Sequence, residues 1–189
     1  MIELNVELKS FFRERLDGAL QRHRLNVDVL TEAYLVDLMA RYAHAPISST
    51  LARPLVERMA EALEAQGRER LVRFRELGDC ALVACGFFSD HLVRRGVSRD
   101  YIVAMGGRAY GSAGDLAPHG EARVYPELAE RFDPIARVLD DVRESTSLRT
   151  PQDIVRLYER WRRTGSPLLA ERLREGGVFP VRPPNTTLH

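Results

Sequence analysis

Apolar residues recur at helical spacing along most of this chain, and the interruptions between periodic stretches mark out the elements. In residues 6–24, Leu8, Phe12, Leu16, Ala19 and Leu20 form one stripe while Arg13, Glu14, Arg22 and Arg24 lie elsewhere. That pattern predicts an amphipathic helix capped by Asn5. Between about 29 and 43, Leu30, Tyr34, Leu38 and Tyr42 fall four residues apart, and Asp37 is placed one turn before Arg41 as an ion-pair partner. The connector at 44–50 breaks the period. A third helix is predicted to about residue 66, with Pro54 in its first turn, a stripe of Leu55, Val56, Met59, Ala60 and Leu63, and Gly67 as its stop.

The fourth helix, about 68–94, holds the most distinctive stretch. Leu77-Gly78-Asp79-Cys80-Ala81-Leu82-Val83-Ala84-Cys85-Gly86-Phe87-Phe88 carries a single charge and is flanked by arginine-rich segments. It is too short to cross a bilayer and too apolar to lie on a surface, so it reads as the buried centre of a helical domain. Phe74, Gly78, Ala81, Cys85 and Phe88 make its sharpest stripe, with small residues that admit a close helix crossing. The other side carries Asp79, Val83, Gly86 and Asp90, a half-apolar face that needs an intramolecular cover or a partner.

Gly96 ends that helix and Ser98 reads as the N-cap of a fifth, whose apolar face is Tyr101, Ile102, Met105, Ala109 and Tyr110, with Gly106-Gly107 shortening it. From Gly111 to Tyr125 the composition turns to glycine, serine, proline, aspartate and histidine, which predicts the longest irregular segment. Pro126 opens a sixth helix along Leu128, Phe132, Ile135, Leu139 and Val142, kinked at Pro134 because the stripe keeps its phase. Thr150-Pro151 starts a helix that buries Ile154, Leu157, Tyr158 and Trp161; Ser166-Pro167 starts a short last helix ended by Gly176-Gly177. No sustained strand alternation and no internal repeat occur. The expected fold is all-α: one domain over 1–177, a bundle of seven to eight helices around the long central helix, and an extended or disordered proline-containing tail at 178–189.

Length and charge narrow the class. The 189 residues suffice for one sizeable core. Of the 28 basic residues only Lys9 is a lysine, and 27 acidic residues leave a formal charge of +1. Arginine suits phosphate and carboxylate contacts, yet with the charge balanced the arginine excess reads as a GC-rich coding composition substituting arginine for lysine more than as a nucleic-acid module. Cys80 and Cys85 point about 140° apart on a helix, so they read as buried free thiols of a reducing compartment. The start of the chain lacks a basic segment followed by an apolar core; no signal peptide is expected, and the cytoplasm is the expected setting.

Catalytic signatures are missing. The residues three before His23, His44, His91 and His119 are Leu20, Arg41, Phe88 and Leu116, not the glutamates of a di-iron bundle. Two cysteines cannot assemble a zinc ribbon, so neither a metal nor another cofactor is expected. Gly106 to Ser112 has the outer spacing of a phosphate loop without its lysine or its preceding strand. Asp79 is the one charge in the apolar run; it reads as a carboxylate on the more polar face, paired with Arg75 or a neighbouring helix, or, if buried, with Arg108 or Arg94. His23 and His91 read as hydrogen-bonded boundary residues.

The leading expectation is a non-enzymatic protein acting through protein contacts, an adaptor or regulatory subunit with a protein partner or a second copy. The alternative is a ligand-binding domain or enzyme with a cavity lined by Phe87, Tyr101, Met105, Tyr110 and Trp161, and with Asp79, His91 or Arg108 as polar contacts. A third reading is DNA binding through the helix-turn-helix outline at 150–177. Asp79, Gly86, Asp90, His91, Tyr101, Arg108 and Tyr110 are the candidate binding residues.

Overall fold

The computed structural model describes residues 2–43, 53–89, 92, 95–118, 123–145, 151–175 and 178–179. Helical periodicity is realised as nine helices among the described residues: α1 (Ile2–His23), α2 (Val29–Ala43), α3 (Leu55–Glu64), α4 (Gly67–Phe87), α5 (Arg99–Leu116), α6 (Val124–Glu130), α7 (Phe132–Glu144), α8 (Pro151–Thr164) and α9 (Pro167–Glu175). They form one all-α domain around α4, which packs against α5, α7 and α3. Every residue from Leu77 to Phe87 is buried, so α4 is covered on all sides. A helix apolar nearly all round must sit at the centre of its domain. Among the described residues no helix is long and apolar enough to cross a membrane.

The half-apolar face of α4 is therefore covered from within the chain. Gly86 lies against Leu139 of α7, where an added Cβ would stand 2.5 Å from the leucine Cβ. α4 also ends at Phe87, about two turns before the expected end; Phe88 is its C-cap, with φ −127° and ψ 23°. At the other end Gly67 does not stop α3 but opens α4 in the left-handed region, φ +55°. Asn5 lies inside α1 instead of capping it.

Two differences concern glycine and proline. α5 runs straight through Gly106-Gly107 and on to Leu116, where an irregular segment was expected. Its glycines are contact surfaces: a Cβ on Gly106 would meet the Phe132 ring at 2.3 Å, and one on Gly114 would meet Pro126 at 3.1 Å. Gly107 and Gly111 face Ala129 on the same side as Gly114, so α6 rests on a row of glycines. Close packing supplies what these residues lack in helix propensity. The stripe from Leu128 to Val142, expected to be one kinked helix, is instead two, separated at Arg131, with φ −108° and ψ 25°. Pro134 has no N–H and would crowd the carbonyl four residues back. Breaking at Arg131 places it in the first turn of α7, where no N–H is required.

At the C-terminal end, α8 buries Ile154, Val155, Tyr158 and Trp161 and packs on α2. α9 folds back on α8 through Gly165, φ +63°, and Val178 is fixed by its N–H donating to the Leu173 carbonyl at 2.7 Å. The connector at 44–50 and the tail beyond Phe179 lie outside the described residues.

Candidate functional site

The one buried carboxylate among the described residues is Asp79, 2% exposed, at the middle of α4. A carboxylate taken out of water is tolerated when its oxygens are matched by donors. Three side chains from two helices, α2 and α5, supply them. The Tyr34 hydroxyl of α2 donates to Oδ1 at 2.5 Å, the Tyr110 hydroxyl of α5 donates to the same oxygen at 2.7 Å, and Arg41 of α2 donates to Oδ2 at 3.2 Å. Tyr34 and Arg41 are seven residues apart, two helical turns, which puts both on the side of α2 that faces α4.

Gly78 is what lets Tyr110 reach in. A Cβ there would lie 2.7 Å from the Tyr110 ring, so the bare backbone of α4 is the floor on which the phenol lies. Tyr125 of α6 stacks on Tyr110 at 6.3 Å and meets Tyr34 edge-on at 5.9 Å. Phe132 of α7 closes the group from the other side, 6.1 Å from Tyr110. The outcome is a polar centre walled by aromatic rings.

The electrostatics follow from this enclosure. Burial pushes Asp79 above the ordinary carboxylate value, against the lowering effect of the Tyr34 bond, the Arg41 charge, the Tyr110 bond and Arg75. Burial and the neighbouring carboxylate both raise Tyr34 and Tyr110, so the phenols remain donors at any physiological pH. Tyr42 is raised in the same way. Burial pushes the Cys85 thiol up to about 11 and also raises Cys80; both thiols are free and buried. Arg41 is the member that reaches solvent, its side chain 48% exposed. The cluster can hold three helices in one register.

The candidate residues fare differently. Asp79 and Tyr110 are brought together. Gly86, seven residues along α4, serves the α7 contact. Tyr101 is 42% exposed near the start of α5, and Arg108 is exposed on the same helix. Asp90, His91 and Arg94 lie outside the described residues. Phe87, Tyr110 and Trp161 are buried in the core, Met105 packs against it, and Tyr101 is exposed. Of the expected partners of Asp79, the arginine of a neighbouring helix is Arg41 of α2; Arg75 acts on it only through its charge, and its Nε is buried without a hydrogen-bond partner. His23, expected as a boundary residue, is exposed, its Nε2 3.3 Å from Asp141.

Tyr34, Arg41 and Tyr125 were not among the candidates. The signal available for Arg41 was its spacing from Asp37, which suggested a local pair. In the structure Asp37 binds Lys9 at 2.7 Å, and Arg41 touches only the Asp37 carbonyl while its guanidinium turns to Asp79.

No family model, no curated protein and no solved structure matches this chain. The geometry alone therefore carries the functional argument.

A second polar feature is an open cleft of about 520 Å³ at the turn between α1 and α2, lined by Asp17, Leu20, Arg24, Leu25, Val27 and Glu32 among others. Arg24 follows α1 with φ +51°, a left-handed conformation. Its N–H donates to the Gln21 carbonyl, and the Leu25 N–H donates to the Leu20 carbonyl, which together close the helix end. The turn is held by the far side of the bundle. Glu127 of α6 accepts from the Asp28 N–H at 3.0 Å, and Arg131 donates to the Asn26 carbonyl.

Proposed function

We propose that this chain acts through contact with another protein, as an adaptor or regulatory subunit. The observation that carries this reading is the outer face of α3. Its Ala62 is buried, yet Val56 and Leu63 on the same short helix are 58% and 55% exposed. Helical spacing puts Val56, Ala60 and Leu63 in one row, with Glu57 and Glu64 beside it. α3 is tied to α4 by Arg73, which pairs with Glu61 at 3.6 Å, while Arg53, just before α3, pairs with the same glutamate, so the row is presented on an anchored helix.

The fitting partner is an amphipathic helix of another chain, apolar along one stripe and basic beside it. Each half-exposed Val or Leu would add roughly 1 kcal/mol on being covered. That is too little for a permanent complex, so the contact is a small, reversible one that draws on the flanking glutamates for specificity. The buried cluster around Asp79 agrees with this reading, since its carboxylate is committed to three donors of the fold itself. The setting we propose is the cytoplasm, supported by two buried unbridged thiols.

A photo-crosslinking residue placed at position 56 of the full chain tests the reading. We expect a discrete adduct with another protein, lost in Leu63→Glu; the identified partner, purified, should bind Leu63→Glu at least about tenfold more weakly than wild type. Labelling at position 56 no different from that at exposed Glu14 would overturn it.

A further inference from the structure

We propose that the cleft between the end of α1 and the start of α2 binds a small organic molecule with two cationic groups and one carboxylate, the chemistry of a free basic amino acid. This goes beyond the protein-contact reading and does not depend on it.

The volume, about 520 Å³, lies within the range of small-molecule sites and is too small for a folded partner. Leu20, Leu25 and Val27 contribute apolar surface suited to an aliphatic stem. Three charged side chains complete the lining. Among the described residues Asp17 and Arg24 make no ion pair, and Glu32 has only a long contact with Arg13, 3.6 Å. Two carboxylates and one guanidinium are complemented by a ligand of opposite count: an ammonium or guanidinium for each acid and a carboxylate for Arg24.

The turn is also preorganised. The bonds from Glu127 and Arg131 fix it from α6 and the α6–α7 junction, so the cleft does not have to be assembled on binding. Arg24 occupies the left-handed position after a helix, where glycine is the ordinary residue. Arg24, which lines the cleft, is held there at a conformational cost.

The experiment is an amide chemical-shift titration of the full chain with free L-arginine or L-lysine, at constant ionic strength. Saturable shifts confined to residues 17–32 are expected below about 10 mM. Asp17→Asn should weaken binding by about tenfold or more. Arg24→Gly should raise the thermal midpoint, because it relieves the left-handed arginine, and at the same time lose binding. Arginine amide, which lacks the carboxylate, and norleucine, which lacks the second cation, should each bind at least about tenfold more weakly than arginine. Linear shifts without saturation, or equal binding by Asp17→Asn, by Arg24→Gly or of arginine amide, would overturn the proposal. Equal binding of the amide would specifically assign the site to a basic side chain of a peptide.

Discussion

Removing the Asp79 carboxylate tests how much of the fold its cluster holds. In Asp79→Ala the Tyr110 hydroxyl, fully buried, loses the acceptor it reaches at 2.7 Å. An unsatisfied buried hydroxyl costs about 1–3 kcal/mol, and the small void left by the carboxylate adds roughly 1 kcal/mol. Tyr34 is nearer the surface and rehydrates in part, and Arg41, half exposed, turns to water at little cost. The expected loss is therefore about 2–4 kcal/mol. Asp79→Asn preserves the volume and a carbonyl that can accept from both phenols, while giving up the charge and the Arg41 bond. It should stay within about 1 kcal/mol of wild type at neutral pH. Urea unfolding followed by circular dichroism measures both. A loss under about 0.5 kcal/mol in the alanine variant would refute the closed cluster, since it would mean that Tyr110 finds water.

The pH dependence of the same pair of proteins supplies the sign. Burial raises Asp79 in the folded chain above its ordinary value of 3.8, so the folded state binds this proton more tightly than the unfolded state does. Its contribution to stability is fully present below that ordinary value and is lost as pH rises through the folded value, the reverse of a salt-bridged surface carboxylate. Each unit of elevation is worth about 1.4 kcal/mol. The difference in unfolding free energy between wild type and Asp79→Asn should therefore fall as pH rises from about 4 towards neutrality. A difference that grows with pH would show that Tyr34, Arg41 and Tyr110 outweigh burial.

Glycines on one face of α5 and on another should respond oppositely to the same substitution. Gly106→Ala meets the Phe132 ring at 2.3 Å and should destabilise by about 1–3 kcal/mol, whereas Gly111→Ala meets only Ala129 at 4.0 Å and should gain up to about 1 kcal/mol in helix propensity. Thermal unfolding of both variants decides it; equal effects would refute the packing assigned to α5. The two thiols should be alkylated only as fast as the chain opens, because both are buried and Cys85 is pushed up to about 11. Labelling by iodoacetamide in native buffer, followed by mass spectrometry, should be negligible over the time in which it is complete in urea.

Periodicity made much of the architecture legible, because apolar spacing reports which side of a helix is turned inward irrespective of what it meets. α1 buries Leu8, Phe12, Leu16, Ala19 and Leu20 as its stripe implies, and the Leu77 to Phe88 run is the buried centre of the bundle. Composition misled where a residue type has two uses. The glycines from 106 to 114 read as helix breakers, yet Gly106 is where α4 and α7 come too close for a side chain, and Gly107, Gly111 and Gly114 form the row on which α6 rests. Telling these uses apart requires the opposing surface, and that surface belongs to residues 12 or more positions away. Proline gave a related error at 134: the apolar phase carried on, but the missing N–H moved the break one turn earlier.

The site was half legible for a reason that concerns energies more than spacing. Asp79 announced itself as the lone charge in an apolar run, and a buried charge must find donors. Which donors was not local information. On an isolated helix Asp37 and Arg41 would pair for a few tenths of a kcal/mol. In the folded chain Arg41 has a stronger claimant, since leaving Asp79 without a charged partner in the core would cost several times that amount. Asp37, exposed, is free to take Lys9 at 2.7 Å, the chain's single lysine. The local pair thus gives way to two long-range ones, and these bind α1 to α2 and α2 to α4. If that ranking is right, Asp79→Asn should release Arg41 to Asp37. A double-mutant cycle between positions 37 and 41 would then show coupling of about 0.3–0.5 kcal/mol in the Asn background and none in the wild type.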